Sequence, residues 1–181
     1  MTEKEKMLAG ELYRADDPEL VAERLRCEAL LRSFNDEPDA DARRIALAEL
    51  LGSLGAGAEV RPPFACDYGY NIAIGAGAFL NFGAVILDVG RVTIGDAVQI
   101  GPGVQLLGAD HPREPALRRS GAESGAPVTL GDNAWIGAGA IVCPGVSVGA
   151  DSIVGAGSVV TRDVPAGVVA AGVPCRIVRE L

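Results

Sequence analysis

The chain has 181 residues, room for one domain with a small appendage, and 49% of it is apolar, enough to build a core. Only 4% is aromatic while glycine numbers 24, so any core must be aliphatic and the chain must turn often. The net charge of −8 repels phosphate backbones and argues against a nucleic-acid partner.

Residues 1–54 are rich in charge and poor in glycine, and they read as a helical cap. The segment from Met7 to Tyr13 reads as a short helix. Asp17-Pro18 is a helix start, because Asp caps and Pro suits the first turn. Leu20, Val21, Leu25, Leu30, Leu31 and Phe34 are then spaced for one side of a helix, which Asn35-Asp36-Glu37-Pro38 stops. A second helix is expected from Asp39, with Ile45, Leu47, Leu50 and Leu51 apolar, ending at Gly52.

Residues 55–181 carry an aliphatic residue at every sixth position. The series is Ile74, Leu80, Ile86, then after a slip of two residues Ile94, Ile100, Leu106, then Leu130, Ile136, Val142, Val148, Val154 and Val160. Glycine often follows, and the fifth position is mostly small or β-branched, as at Ala78, Val98, Ala134 and Ser158. A period of six matches neither helix nor simple strand alternation. It fits short straight segments joined by sharp turns, three to a coil, with one large side chain per segment pointing inward: a parallel β-helix of hexapeptide repeats, mainly β in class. One interruption, residues 107–128, is polar and carries Pro and Gly, and reads as a loop thrown out from a corner.

The four cysteines form no CxxC pair, which argues against a zinc ribbon or redox dithiol. The first residues lack a signal peptide, and no run is apolar for long enough to span a bilayer, so the expected location is the cytoplasm, away from membranes, with reduced thiols.

Three stretches, Glu3 to Tyr13, Cys66-Asp67-Tyr68-Gly69-Tyr70-Asn71-Ile72 and Ser120-Gly121-Ala122-Glu123, closely resemble maltose O-acetyltransferases. The ending Val169 to Arg176 is similar to galactoside O-acetyltransferases. Over nearly its whole length the chain thus resembles the maltose/galactoside O-acetyltransferase family of hexapeptide-repeat acyltransferases. The resemblance implies left-handed coiling, a homotrimer, and acetyl-CoA as co-substrate lying between neighbouring prisms, with a sugar acceptor in the same cleft and no metal.

Acyl transfer to a hydroxyl needs a base that works near neutral pH, which imidazole supplies. His111 is the single histidine. It lies in the loop, and the family places its base in a matching His-Pro step. The resemblance also puts Asn81 beside the acceptor hydroxyl and the backbone N–H of Ala138 at the thioester oxygen. Trp135 is expected either along the pantetheine arm or in simple packing. Ala156, Thr161, Arg162, Arg176 and Arg179 fall on the last coils and the tail, where arginine forks suit phosphates. For the acceptor the implied set is Arg24, Asp67, Asn81, Asp88, Glu123 and an acidic residue near the first helix. The carboxylate expected from galactoside acetyltransferases falls on Ala15, leaving its neighbour Asp16, and Phe79 stands in place of a tyrosine. Both departures favour a glucose- or maltose-like acceptor. Two other readings stay open: an acetyltransferase for another hydroxyl or amine acceptor, and a non-catalytic scaffold. A β-helix carbonic anhydrase is excluded, since its zinc needs three imidazoles.

Overall fold

In the computed structural model, which describes residues 1–181, the period of six becomes a three-sided coil. Each of the twelve aliphatic residues of the series is at most 2% exposed. Alternate residues of a strand point to opposite faces, so a strand of two to four residues sends its repeat residue inward and its neighbour outward. Coils stack in register to make three parallel sheets. The first face takes Ser53–Leu54, Ile72–Ile74, Val92–Ile94, Val128–Leu130 and Ser147–Val148. The second takes Glu59–Val60, Phe79–Leu80, Gln99–Ile100, Trp135–Ile136, Ile153–Val154 and Val168–Ala171, closed by the antiparallel strand Arg176–Glu180. The third takes Phe64–Cys66, Ala84–Leu87, Gln105–Leu107, Ile141–Val142 and Val159–Val160. The result is a left-handed parallel β-helix. Its inner column belongs to a cluster of 34 buried residues, and each aliphatic side chain buried there contributes roughly 1.5–3 kcal/mol. The fifth-position residues Ala78, Val98, Ala134 and Ser158 are buried at the corners, and the Ser158 hydroxyl donates to the Gly155 carbonyl at 2.6 Å.

A stack of coils leaves an unpaired sheet edge at each end. Helices α2 (Pro18–Asn35) and α3 (Ala40–Leu50) cover the first, and α1 (Glu3–Leu8) packs beside α2 against Tyr13–Arg14 and Ala122–Gly125. Asp17 and Asp39 cap α2 and α3, accepting from Glu19 N and Ala42 N. The Asn35 side chain replaces the missing coil: its amide donates to Phe64 O at 2.9 Å and its oxygen accepts from Phe64 N at 2.8 Å. Phe34 and Phe64 pack edge to face, 6.3 Å apart.

The cap departs from expectation in three places. The first helix is α1, and Tyr13–Arg14 is a strand. Along α2 the buried residues are Leu20, Cys27 and Phe34, seven apart, while Val21 and Leu25 face outward. On α3, Ile45 is 71% exposed.

The repeat breaks at one edge only, where the third face turns into the first. Inward residues Cys66 and Ile74 are eight apart, as are Ile86 and Ile94, and Leu106 and Leu130 are separated by the long loop. That loop forms two short strands, Ala109–Asp110 and Ala122–Gly125, with helix α4 (Pro115–Arg119) between them. Strand 122–125 pairs antiparallel with Tyr13–Arg14 on one side and 109–110 on the other, which ties the loop to the cap. No helix is long and apolar enough to cross a membrane.

Candidate active site

The extra residues of the broken edge build a cavity of about 360 Å³ whose lining includes His111, Asp67, Arg24, Glu123, Tyr13 and Tyr68. We call this the loop edge. His111 follows strand 109–110. Its backbone N–H donates to Asp110 Oδ1 at 2.8 Å, and Arg113 pairs with Asp110 while donating to His111 O. The turn is thereby fixed, and the imidazole itself has no hydrogen-bond partner in the chain. Burial pulls the Asp110 carboxyl up, but Arg113 and the His111 N–H outweigh it and hold it below the usual carboxylate range.

Arg24, on α2, donates to Tyr68 Oη at 2.8 Å and to Ala15 O at 2.7 Å. Tyr13 Oη donates to Glu123 Oε2 at 3.0 Å. The Asp67 carboxylate has no partner. Burial, reinforced by Asp88 and Glu123 and opposed by Arg24, pushes it up to about 6. Three of the expected acceptor residues, Arg24, Asp67 and Glu123, therefore meet His111 in one cavity. Tyr13 and Tyr68, which hold two of them, were not singled out from sequence.

Two expected acceptor residues lie elsewhere. Asp88 is 0% exposed, and its carboxylate accepts from the backbone N–H groups of Asp67, Tyr68 and Asn71. It is a strut that shapes the 67–71 turn, with no face toward the cavity, because three buried donors needed an acceptor. Asp16 is paired with Arg14 at 2.9 Å on the surface, outside the cavity lining. Arg14 in turn donates to the Ser120 carbonyl of the loop.

Asn81 stands on a different edge, between the second and third faces. There Asn81, Gly101, Gly137 and Gly155 stack in successive coils through N–H bonds to Ile100, Ile136, Val154 and Ala170 carbonyls. Asn81 Oδ1 accepts from Phe82 N at 2.8 Å, which orients the amide and leaves Nδ2 as a free donor. Ala138 and Ala156 follow the glycines, exposed, and neither N–H donates to a protein acceptor. The edge between first and second faces differs: there Asp96 and Asp132 side chains occupy the matching N–H groups of Ala76 and Asp96. Glycine is required beside the open donors, since a Cβ on Gly101 would come within 2.6 Å of Ala138 N. We call this the open edge. It presents Asn81 Nδ2 and, about 10 Å along the stack, the Ala138 N–H.

The remaining expected cofactor residues divide between these edges. Trp135 is 53% exposed on the second face, between Gln99 and Ile153. Arg176 and Arg179 lie on the last strand of that face. Thr161 and Arg162 follow the third face and lie on the loop-edge side, one coil above Cys143. The third face runs between the two edges. Strand rise puts them about 15–20 Å apart within one chain, too far for a single bond-making centre.

The fold and the repeat define a hexapeptide-repeat transferase: residues 127–162 match the six-repeat bacterial transferase hexapeptide model, and residues 6–55 match the maltose acetyltransferase hexapeptide capping motif. Nodulation protein L of Rhizobium meliloti (strain 1021) is 54% identical over 97% of both chains. A crystal structure of a maltose O-acetyltransferase from Clostridium difficile 630 superposes with a TM-score of 0.98 at 47% identity, covering 100% of this chain and 98% of that one. A galactoside acetyltransferase solved in complex with coenzyme A gives a TM-score of 0.96 at 41% identity, covering 99% and 91%. The chain belongs to the family of maltose and galactoside O-acetyltransferases, and it is an acetyltransferase of the hexapeptide class.

Proposed function

We propose that the protein transfers the acetyl group of acetyl-CoA to a hydroxyl of a glucose- or maltose-like sugar, in sites shared between the subunits of a homotrimer. The observation that carries this reading is the division of the chemistry between two edges of one face. The imidazole and the acceptor carboxylates stand at the loop edge, the free N–H donors at the open edge. Of the outward residues between them, Val85, Leu87, Leu107, Ile141 and Val159 are apolar, and Gln105 alone is polar. Packing that face around a threefold axis buries it and sets the loop edge of one subunit against the open edge of the next.

In that cleft His111 takes the proton of the sugar hydroxyl as its oxygen attacks the thioester carbonyl. Asn81 Nδ2 stabilises the oxyanion that forms, and the Ala138 N–H, about 10 Å along the stack, donates to the pantetheine arm. The intermediate then collapses to the sugar ester and the CoA thiolate, and the His111 imidazolium returns its proton to that sulfur. Asp67 and Glu123 accept from neighbouring sugar hydroxyls. Trp135, Ala156, Thr161, Arg162, Arg176 and Arg179 line the path for the pantetheine arm and the nucleotide phosphates.

The test is His111→Ala. Loss of a general base lowers turnover about 10²–10⁴-fold. The residue is exposed in the loop, so the thermal melt and acetyl-CoA binding should be retained. Steady-state transfer to glucose and maltose, beside a melt, measures both. Near-normal turnover in the variant would remove His111 from the mechanism.

A further inference from the structure

A cavity of about 840 Å³, larger than the one at His111, lies between α3 and the turn 56–62 of the first coil, and Phe82 forms part of its wall. Nothing in the mechanism above uses it. Its position is informative: Phe82 is the residue after Asn81 and is bonded to the Asn81 side chain at 2.8 Å. The cavity therefore opens one residue from the proposed acceptor hydroxyl, on the side of the open edge away from Ala138 and Ala156.

Its chemistry narrows what it would hold. Phe82 is 49% exposed, an unusual investment in a chain with 4% aromatic residues. The Arg61 guanidinium lies 5.1 Å from the Phe82 ring and 5.2 Å from Phe79, so it covers part of an aromatic platform and leaves the rest open. The cations of the wall are partly engaged by the chain. Arg44 donates to Ala58 O and Gly55 O, Arg43 to Glu37 O and Pro38 O, and Arg61 to Glu59. Each guanidinium keeps N–H groups beyond these contacts, which can donate to hydroxyls. The Asp41 carboxylate and the turn carbonyls are left as acceptors. An aromatic face beside hydrogen-bond acceptors, in a volume within the usual range for small ligands, suits a neutral ring that carries hydroxyls on its rim and C–H groups on its faces.

We propose that this cavity is a second sugar subsite, so that the acceptor is an oligosaccharide whose next unit stacks on Phe82 while its reacting unit sits at Asn81. This rests on the reading of the protein as a sugar acetyltransferase and goes beyond it. The subsite adds binding energy without touching the reacting atoms, and it makes the enzyme discriminate by acceptor length.

The experiment compares kcat/KM for glucose and maltose at saturating acetyl-CoA, and measures saturation transfer from the protein to each ring of maltose by NMR with CoA bound. One stacking contact predicts that maltose exceeds glucose about three- to tenfold and that both rings are saturated. Ala40→Trp, at the exposed start of α3, fills the cavity from outside the core. It should bring the ratio to about one and remove saturation of the second ring. Phe82→Ala should lower the ratio in the same direction by removing the platform. A ratio of one in the wild type, or a preference that survives both variants, overturns the subsite while leaving glucose transfer standing. Failure of both sugars to bind or react overturns the subsite and the sugar reading together.

Discussion

The first and third faces are alike inside and unlike outside. Both turn Ile, Leu and Val inward coil after coil, except that Phe64 and Cys66 point inward in the first coil of the third face. Outward, the first face stacks Ser53, Ala73, Thr93, Thr129 and Ser147, while the third stacks Ala65, Val85, Gln105, Ile141 and Val159, flanked by Leu87 and Leu107. Coil stacking needs only the inward residue, so the outward residue is free to report what the face meets. Small hydroxyls suit water. A largely aliphatic face, interrupted only by Gln105 and bounded by both halves of a divided site, suits another copy of the chain.

The sharpest way to break that comparison is to charge each face in turn. Val85→Glu with Ile141→Glu on the third face should dissociate the assembly and remove nearly all turnover, since unpaired carboxylates buried at an interface cost several kcal/mol. Thr93→Glu with Thr129→Glu on the first face should leave both mass and rate unchanged. Sedimentation beside an acetyl-transfer assay measures the pair. Equal behaviour of the two doubles would mean that the third face is an ordinary surface.

A smaller effect is expected behind the cavity at the loop edge. The folded-state pKa of Asp67 is raised from 3.8 to about 6. Its favourable contribution to stability is present while the carboxyl is protonated and is lost as pH rises from about 4 through about 6. At neutral pH the charged form therefore weakens the fold, and Asp67→Asn should melt higher there. For a chain of this size each kcal/mol recovered is worth roughly 2–4 °C. The gap should close below pH about 4, and the acceptor KM should rise at neutral pH. An equal melting difference at both pH values would assign the change to packing.

The inner column was legible in the sequence because one side chain in six is all that a coil requires. Even the defect was visible: the slip between Ile86 and Ile94 marks the edge that carries the cavity. The matching slip between Cys66 and Ile74 escaped notice, because a single coil below the regular series shows no period. What remained hidden depends on distant partners. Tyr13 sits in a helix-like run, yet its backbone pairs with Glu123. Asp88 reads as an available carboxylate, yet three backbone N–H groups twenty residues earlier claim it. Val21 and Leu25 fit a helical stripe, but the contact with the first coil follows Leu20, Cys27 and Phe34. Local spacing gives no sign of any of these.

The central claim is that the base of one subunit serves the oxyanion donor of its neighbour, and subunit mixing tests it most directly. His111→Ala and Asn81→Ala should each be nearly inactive alone. Unfolded together and refolded as mixed assemblies, they should regain activity, because an interface that joins the intact loop edge of one variant to the intact open edge of the other is complete. Random mixing predicts that about one quarter of interfaces are restored. Mixed assemblies of the same mass that stay at the residual rate of the parents would place both residues in one subunit's site and contradict the account.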